Sequence, residues 1–189
     1  KDFDMSMAER ILGFNKKNKT AQELYSTHKK IEIAEAKAFK GKLEKFIKIA
    51  EERGGDPAKG KPLFSALCLS CHSVGGEGAG FAPPLDGSTH REDEALLTAI
   101  LNPDAAVESN YYLYRLTKKD GSSLEGYREK VDERGTTMRF MGGGSVFVPA
   151  SDIKSGNFVG KRSVMPKNLI DSLSKDQVAD ILAYIRSLK

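Results

Sequence analysis

Both cysteines of this 189-residue chain lie within five residues of each other, in the segment "CLSCH" at 68–72. One close pair of cysteines cannot build a framework of several disulfides, so the group that the pair binds constrains the fold more than any other feature. His72 follows Cys71 directly and adds a third side chain able to bind a metal. Pairs with this spacing occur in zinc sites, in redox dithiols and in covalent haem sites.

Zinc sites and redox dithiols both need neighbours that this sequence lacks. Structural zinc usually takes four ligands in two pairs, and the remaining histidines, His28 and His90, are isolated from each other and from the cysteines. A thioredoxin-like dithiol begins a helix after a strand. Here the pair follows a helical segment and precedes the glycine-rich stretch 73–87. Both interpretations are therefore disfavoured.

The order C-x-x-C-H is the pattern of covalent haem attachment. Cys68 and Cys71 lie about one helical turn apart, so both sulfurs can reach the vinyl groups of one haem and form thioethers. His72 follows at once and reaches the iron from the same side. The sequence therefore predicts one haem c, joined to Cys68 and Cys71, with His72 as an axial iron ligand.

The second axial ligand has to come from a distant part of the chain. Met165 is favoured because Pro166 restrains its loop, "SVMPKN", and because a thioether commonly pairs with His on haem iron. Two further methionines fall in a strand-like run where ordinary packing explains them, and two histidines fit surface positions. The candidates are Met165, Met138, Met141, His28 and His90.

The loop "GFAPPLDG" predicts support for the proximal side of the haem. A ligating His needs its second ring nitrogen hydrogen-bonded, and a proline offers a carbonyl with no competing N–H. Pro83 is therefore the predicted acceptor for His72, with a plain proline turn as the alternative. Leu85 is predicted to cover the haem face.

Other pocket residues are predicted from the helices and from a basic pair. Gly60 and Phe64 lie one turn apart before the cysteines, and Tyr184 lies on the terminal helix, so these three are expected to form a close helix crossing near the haem. Lys161 or Arg162 is a candidate partner for a haem propionate, with solvent-facing charge as the alternative.

Hydrophobic periodicity predicts helices near both ends of the chain and strands between them. Asp120-Gly121 is a hairpin signal between strand-like runs, and three or four strands are expected in 111–150, followed by a loop with Lys161 and Arg162. Ser174 and Gln177 form a capping box that opens the last helix. The other predicted helices are 20–52, capped by Thr20, then 57–69 and 91–101.

Together, "GKPLFSALCLSCHSV", "GFAPPLDG" and "SVMPKNLIDSLSKDQVADILAYIRSLK" resemble a class I cytochrome c domain. With "LLTAILNPDAAVESNYYLYRLTKKDGSSLEGYREK" and "VFVPASDIKS", the resemblance extends to the C-terminal haem-binding domain of large secreted dehydrogenase-like proteins of planctomycetes and verrucomicrobia. That branch carries a β-rich insertion between the haem motif and the axial Met. Its members usually place the haem domain after a propeller-like dehydrogenase region, whereas here a helical stretch precedes it.

The resemblance implies a mainly α protein with the class I cytochrome c fold. Residues 1–53 would be a helical extension and 54–189 the cytochrome c domain, with a small antiparallel β insertion at 111–150. It implies thioethers on Cys68 and Cys71, with His72 and Met165 as axial ligands.

The expected function is that of a mono-haem electron carrier, not an enzyme. It would take electrons from an extracytoplasmic dehydrogenase and pass them to a cytochrome or oxidase, in the periplasm or another extracytoplasmic space. A five-coordinate haem with peroxidase or small-ligand-sensing activity is the alternative.

The net charge of +4 is modest and gives little support to nucleic-acid binding. No apolar run is long enough for a transmembrane segment, and the start at Lys1 without a signal-peptide pattern fits a mature exported protein or a piece of a longer one.

Overall fold

The computed structural model describes residues 5–188. Within that range the chain forms five α-helices: α1 (Met5–Phe14), α2 (Lys19–Glu52), α3 (Pro57–Leu67), α4 (Asp93–Leu101) and α5 (Lys175–Ser187). The strands of the same range are β1 (Ser73–Val74), β2 (Glu77–Gly78), β3 (Tyr112–Lys118), β4 (Ser123–Asp132), β5 (Gly135–Arg139), β6 (Ser145–Pro149) and β7 (Ile153–Ser163). Short 3₁₀ turns occupy Ser88–His90, Pro103–Ala105, Ser109–Tyr111 and Ala150–Asp152.

The chain divides into two compact units, residues 1–44 and 45–189. In the first unit, the side chain of Asn18 accepts a hydrogen bond from the backbone N–H of Ala21 at 3.0 Å and caps α2. The predicted cap at Thr20 is therefore wrong, because Asn18 caps a helix at least as well and stands two residues earlier. The domain limits predicted from the sequence, 1–53 and 54–189, stay a prediction.

Helices α3 and α5 cross closely in the second unit. Gly60 is buried at the crossing, where a Cβ atom would overlap the backbone carbonyl of Asp180. The ring of Phe64 lies 5.1 Å from that of Tyr184 at an interplanar angle of 58°. The close helix crossing predicted from Gly60, Phe64 and Tyr184 is confirmed. Only glycine allows the two backbones to approach this closely.

Helix α5 begins at the predicted capping box. The N–H of Gln177 donates to Ser174 Oγ at 3.2 Å, and the N–H of Ser174 donates to Gln177 Oε1 at 2.9 Å. The cap therefore satisfies two backbone N–H groups that a helix start leaves without partners. The buried face of α5 is apolar and consists of Val178, Ala179, Ile181, Leu182 and Ile185.

The region between α4 and α5 forms an antiparallel five-stranded sheet in the order β6-β5-β4-β3-β7. The Asp120-Gly121 hairpin is confirmed between β3 and β4, where Gly121 has a φ of 88° that favours glycine. One face of the sheet builds its own core from Tyr114, Leu116, Met138 and Val148. The predicted mainly-α class is therefore confirmed only in part, since the chain also holds a substantial sheet.

Strand β7 is where the sequence-based prediction of a loop was wrong. Lys161 and Arg162 belong to this strand, which pairs with β3 over residues 153–158 and again at Ser163. An irregularity between these two pairings contains Lys161 and Arg162. Most β7 side chains are exposed, so the segment shows little of the apolar alternation that marks a strand. Pairing with a strand some forty residues earlier decides its conformation, and local propensity does not report such pairing.

Candidate functional site

The two cysteines lie in a tight turn directly after α3. Cys68 ends the helix, with its N–H bonded to the Phe64 carbonyl at 2.8 Å. The N–H of His72 donates in turn to the Cys68 carbonyl at 2.8 Å, so the helical path continues for one more turn. Cys68 and Cys71 are free thiols, each partly buried. This local geometry sets both sulfurs and the imidazole on one short stretch of backbone.

The electrostatics of Cys68 do not match those of a redox dithiol. Burial, with a smaller contribution from the neighbouring Cys71, raises the pKa of Cys68 to about 12. Dithiol oxidoreductases need the opposite shift, because the thiolate is the attacking form. Among residues 5–188, no three His, Cys, Asp or Glu side chains converge as a metal ion would require. Zinc therefore finds no ligand set in the described part of the chain.

The imidazole of His72 is oriented by the loop of residues 80–87, which carries Pro83 and is called the proline loop below. Its Nδ1 lies 2.7 Å from the Pro83 carbonyl oxygen, and because a carbonyl only accepts, Nδ1–H is the donor. This bond leaves Nε2 free to bind a metal ion. Burial lowers the pKa of His72, and the Pro83 bond partly opposes that shift. The neutral imidazole, which is the metal-binding form, is favoured.

The loop that carries Pro83 is itself held against the cysteine turn. The N–H of Ala82 donates to the Cys71 carbonyl at 2.7 Å, and the N–H of Leu85 donates to the Ser73 carbonyl at 2.8 Å. Two backbone hydrogen bonds on either side of Pro83 therefore fix its carbonyl relative to His72.

An apolar cavity opens beside this turn, with an empty volume of about 1210 Å³, its open mouth included. Apolar side chains make up most of its lining, and the Cys68 thiol and the His72 imidazole lie among them, as is typical of a cofactor site. Tyr184 is not among the lining residues and instead packs on Phe64. The predicted site residues that line the cavity are Phe64, Cys68, His72, Pro83, Leu85 and Met165. Cys71 lines a smaller adjoining cleft, which Met165 also borders.

The five candidates for the second axial ligand lie in different structural elements. Met165 lines the cavity that His72 also lines. Met138 is fully buried in the core of the sheet, and Met141 is half exposed beside the smaller cleft. His90 lies exposed in a 3₁₀ turn, and His28 lies on α2 in the first unit.

Comparison with known protein families matches residues 57–189 to the family described as Cytochrome c. The chain belongs to the cytochrome c family. The family implies a covalent c-type haem, and its members are generally electron carriers. The matched range contains the cysteine turn, the proline loop, the whole sheet and α5.

A curated relative matches part of this chain. Cytochrome c-554(547) of Halothiobacillus neapolitanus is 40% identical over 52 residues, which is 28% of this chain and 57% of that protein. The chain thus spans little more than half the length of the relative that it matches.

Two tyrosines contributed by the β-rich region of this cytochrome c escaped the sequence-based prediction. Tyr127 of β4 stacks on Phe81 of the proline loop, with ring centroids 4.4 Å apart, and Tyr111 meets Tyr127 edge-on at 5.4 Å. Both tyrosines line the large cavity. Nothing in their local sequence distinguishes them from ordinary strand tyrosines, because the contact with Phe81 is made only by the folded sheet.

A basic side chain at the cavity of this cytochrome c was also missed. Arg91 lies at the cavity wall, next to the buried Ser88. The predicted propionate partners, Lys161 and Arg162, are exposed on β7, and Arg162 faces Asp104 at 4.0 Å. Arg91 precedes α4 among polar residues, where a solvent-facing charge is the ordinary expectation.

The residues present fit a haem c. The cavity combines apolar walls with a free thiol and an imidazole whose Nε2 is available, and it adds a thioether sulfur from a distant loop. The second thiol is three residues from the first in the same turn. This donor set is the one that His/Met haem iron uses.

Proposed function

We propose that this cytochrome c domain carries single electrons on one haem c, joined to Cys68 and Cys71 and held between His72 and Met165. The supporting observation is that one apolar cavity receives Cys68, the imidazole with its Nδ1 engaged, and the Met165 side chain. When bound, haem supplies reversible one-electron chemistry, and the protein supplies ligands, orientation and a dry environment.

Each ligand has a distinct task in this proposal. The Pro83 carbonyl holds the ring of His72 in one orientation and makes Nε2 a better donor. Met165 would supply the second protein ligand to the iron, which would leave no open site there for a substrate. A Met ligand and an apolar surround both favour the reduced state and raise the reduction potential relative to a bis-His site.

The cavity wall keeps water from the electron-accepting group. Leu85 and Phe64 contribute apolar surface, and Tyr184 supports Phe64 from behind across the helix crossing. We assign a propionate contact to Arg91, because Arg91 lines the cavity whereas Lys161 and Arg162 do not. A guanidinium binds a carboxylate through two parallel hydrogen bonds, which suits this role.

The redox partners are inferred from chemistry and from resemblance. The electron donor would be an extracytoplasmic dehydrogenase, as in the planctomycete and verrucomicrobial proteins that the chain resembles, and the acceptor a cytochrome or oxidase. The cleft that Cys71 and Met141 border is the proposed electron port. The docking interface there would be small and transient.

Of the helices in residues 5–188, none has the length and apolar character needed to cross a bilayer.

The experiment that tests this function is spectroscopy of the purified holoprotein beside two methionine variants. The wild-type protein should carry haem through a denaturing gel and show a methionine-to-iron charge-transfer band when oxidised. Met165→Ala should lose that band and keep the covalent haem, whereas Met141→Ala, at a half-exposed position, should keep both. A wild-type protein that lacks the band and binds cyanide or CO rapidly would favour the five-coordinate alternative.

A further inference from the structure

The loop that carries Met165 is irregular and therefore needs external support. Met165 comes two residues after β7 ends at Ser163 and precedes a series of turns before α5. No helix or strand fixes the backbone at this point, so the direction of the side chain depends on contacts with other elements.

One carboxylate supplies those contacts on both sides of Met165. Asp104, in the 3₁₀ turn after α4, accepts a hydrogen bond from the N–H of Ser163 at 2.7 Å. Its other oxygen lies 2.8 Å from Lys167 Nζ. The loop is thus tied to Asp104 two residues before Met165 and again two residues after it. Arg162 adds a third, longer contact at 4.0 Å.

A further hydrogen bond connects Asp104, through Ser163, to the backbone of Met165. The N–H of Met165 donates to the side-chain oxygen of Ser163 at 3.1 Å. Asp104 therefore holds Ser163, and Ser163 holds the backbone of Met165. The side chain of Asp104 is only 21% exposed, so solvent competes weakly for its bonds, and hydrogen bonds to an ionised acceptor are about twice as strong as neutral ones.

The residues directly before Asp104 restrain its position beside the cavity. Pro103, directly before Asp104, is buried and lines the cavity. Its ring fixes the backbone φ at the start of the turn, and Asn102 ends α4 one residue earlier. The carboxylate is therefore placed by the end of a helix and by a proline, not by a flexible segment.

We propose that Asp104 is a positioning residue that holds the Met165 loop closed on the iron and so sets how readily an external ligand displaces Met165. This inference rests on the proposed role of Met165 as an axial ligand. Asp104 does not touch the haem in this scheme and acts through Ser163 and Lys167.

The test is a titration of the oxidised holoprotein with imidazole, followed through the methionine-to-iron charge-transfer band. Asp104→Ala should raise the apparent affinity for imidazole about tenfold, since a lost charge-assisted bond on the closed state favours the open one. Asp104→Asn keeps an acceptor for the Ser163 N–H and should have a smaller effect. Lys167→Gln should change the affinity about twofold or less, because the Lys167 side chain is itself 53% exposed and the bond from Ser163 to Asp104 remains.

Asp132 offers a matched control in the same protein. It accepts a hydrogen bond from the backbone N–H of Arg134 at 3.0 Å and pairs with the side chains of Arg134 and Lys130, at 3.1 and 3.4 Å, in the β4–β5 turn. Asp132→Ala removes the same kinds of bond away from the cavity, so the affinity for imidazole should stay at the wild-type value.

The outcomes separate this inference from the proposed function. If the wild type shows the band and Asp104→Ala binds imidazole as the wild type does, Asp104 has no positioning role and the function stands. If the wild type lacks the band and Met165→Ala matches it, the ligand assignment and this inference both fail. Should Asp104→Ala yield no holoprotein, Asp104→Asn and Ser163→Ala carry the test, and unchanged imidazole affinity in both would overturn the proposal.

Discussion

The Nδ1 atom of His72 lies 2.7 Å from the carbonyl oxygen of Pro83, eleven residues further along the chain. This hydrogen bond connects the cysteine turn with the proline loop, and it decides which ring nitrogen is left for a metal. Backbone bonds from Ala82 and Leu85 to the cysteine turn hold the acceptor in place. The local fold thus prepares the imidazole for binding independently of any group in the cavity.

Pro83→Ala keeps the acceptor carbonyl but loses the ring that restrains its backbone. The bond to Nδ1 should weaken, which makes the imidazole a poorer donor to the oxidised iron and raises the reduction potential of the holoprotein by about 40 mV or less. Potentiometric titration followed by absorbance measures the change. Pro84→Ala alters the next residue, which also lines the cavity, and should leave the potential unchanged. Equal shifts in the two variants would argue against a special role for the Pro83 ring in holding this carbonyl.

Gly60→Ala should destabilise the protein by about 1–3 kcal/mol, because the new methyl group would overlap the backbone of α5 at Asp180. Urea denaturation followed by far-ultraviolet circular dichroism measures the free energy of unfolding. Gly41→Ala, on the open face of α2, should instead stabilise its helix by up to about 1 kcal/mol. A neutral Gly60→Ala variant would show that α3 and α5 do not cross as closely as described.

Tyr127→Ala should destabilise the second unit by about 3–5 kcal/mol, because it removes a buried ring that stacks on Phe81. It should also lower the reduction potential, since water would enter the cavity wall and favour the oxidised state. Tyr127→Phe keeps the stacked ring and should stay close to the wild type in both measurements.

Tyr112→Ala is the control for the Tyr127 variants. Tyr112 packs edge-on against Phe158 at 6.2 Å on the sheet and does not line the cavity. Its loss should reduce stability and leave the potential unchanged. A potential that responds equally to both alanine variants would mean that sheet stability, rather than the cavity wall, controls it.

The stabilisation that Asp104 provides should disappear in acid. Partial burial raises the pKa of this carboxyl, but the bonds from Lys167 and Ser163 and the charges of Lys167 and Arg162 outweigh it and leave the pKa below its ordinary value. A depressed folded-state pKa means that the carboxylate stabilises the fold above the unfolded value of about 3.9 and that this contribution is lost as the pH falls through the folded pKa.

Wild-type and Asp104→Asn proteins should therefore differ in free energy of unfolding by a constant amount from about pH 7 to 5, with the wild type more stable. The difference should shrink as the pH falls below the unfolded value of about 3.9 and vanish only below the folded pKa. Urea denaturation at a series of pH values measures the difference. A gap that widens on acidification would have the wrong sign for a stabilising carboxylate and would contradict the geometry of the anchor.

Features that depend on a few neighbouring residues could be predicted from the sequence. The Ser174 and Gln177 capping box and the Asp120-Gly121 hairpin are found where the pattern placed them. The close approach at Gly60 was also predictable, since a glycine one turn from an aromatic residue on a helix is a packing signal. In each case the controlling interaction lies within a few positions or follows from the size of one side chain.

The β-rich region is where local reasoning failed. Strand β7 has mostly exposed side chains and gains its conformation from pairing with β3. Its predicted loop was wrong because exposed polar segments carry a weak strand signal. The same pairing brings β7 to its end two residues before Met165, so the sheet sets where the Met165 loop begins.

By itself, the sequence determined the chemistry that the chain can support: a pair of thiols and an imidazole in one turn, and a proline carbonyl within reach of that imidazole. Only the tertiary structure decided which methionine shares the cavity with His72, which tyrosines close the wall, and that Asp104 binds Ser163 from 59 residues away. The physical reason is the range of the interactions. Turns and caps are set by neighbouring backbone groups, whereas a cavity and its anchors exist only after distant elements have packed.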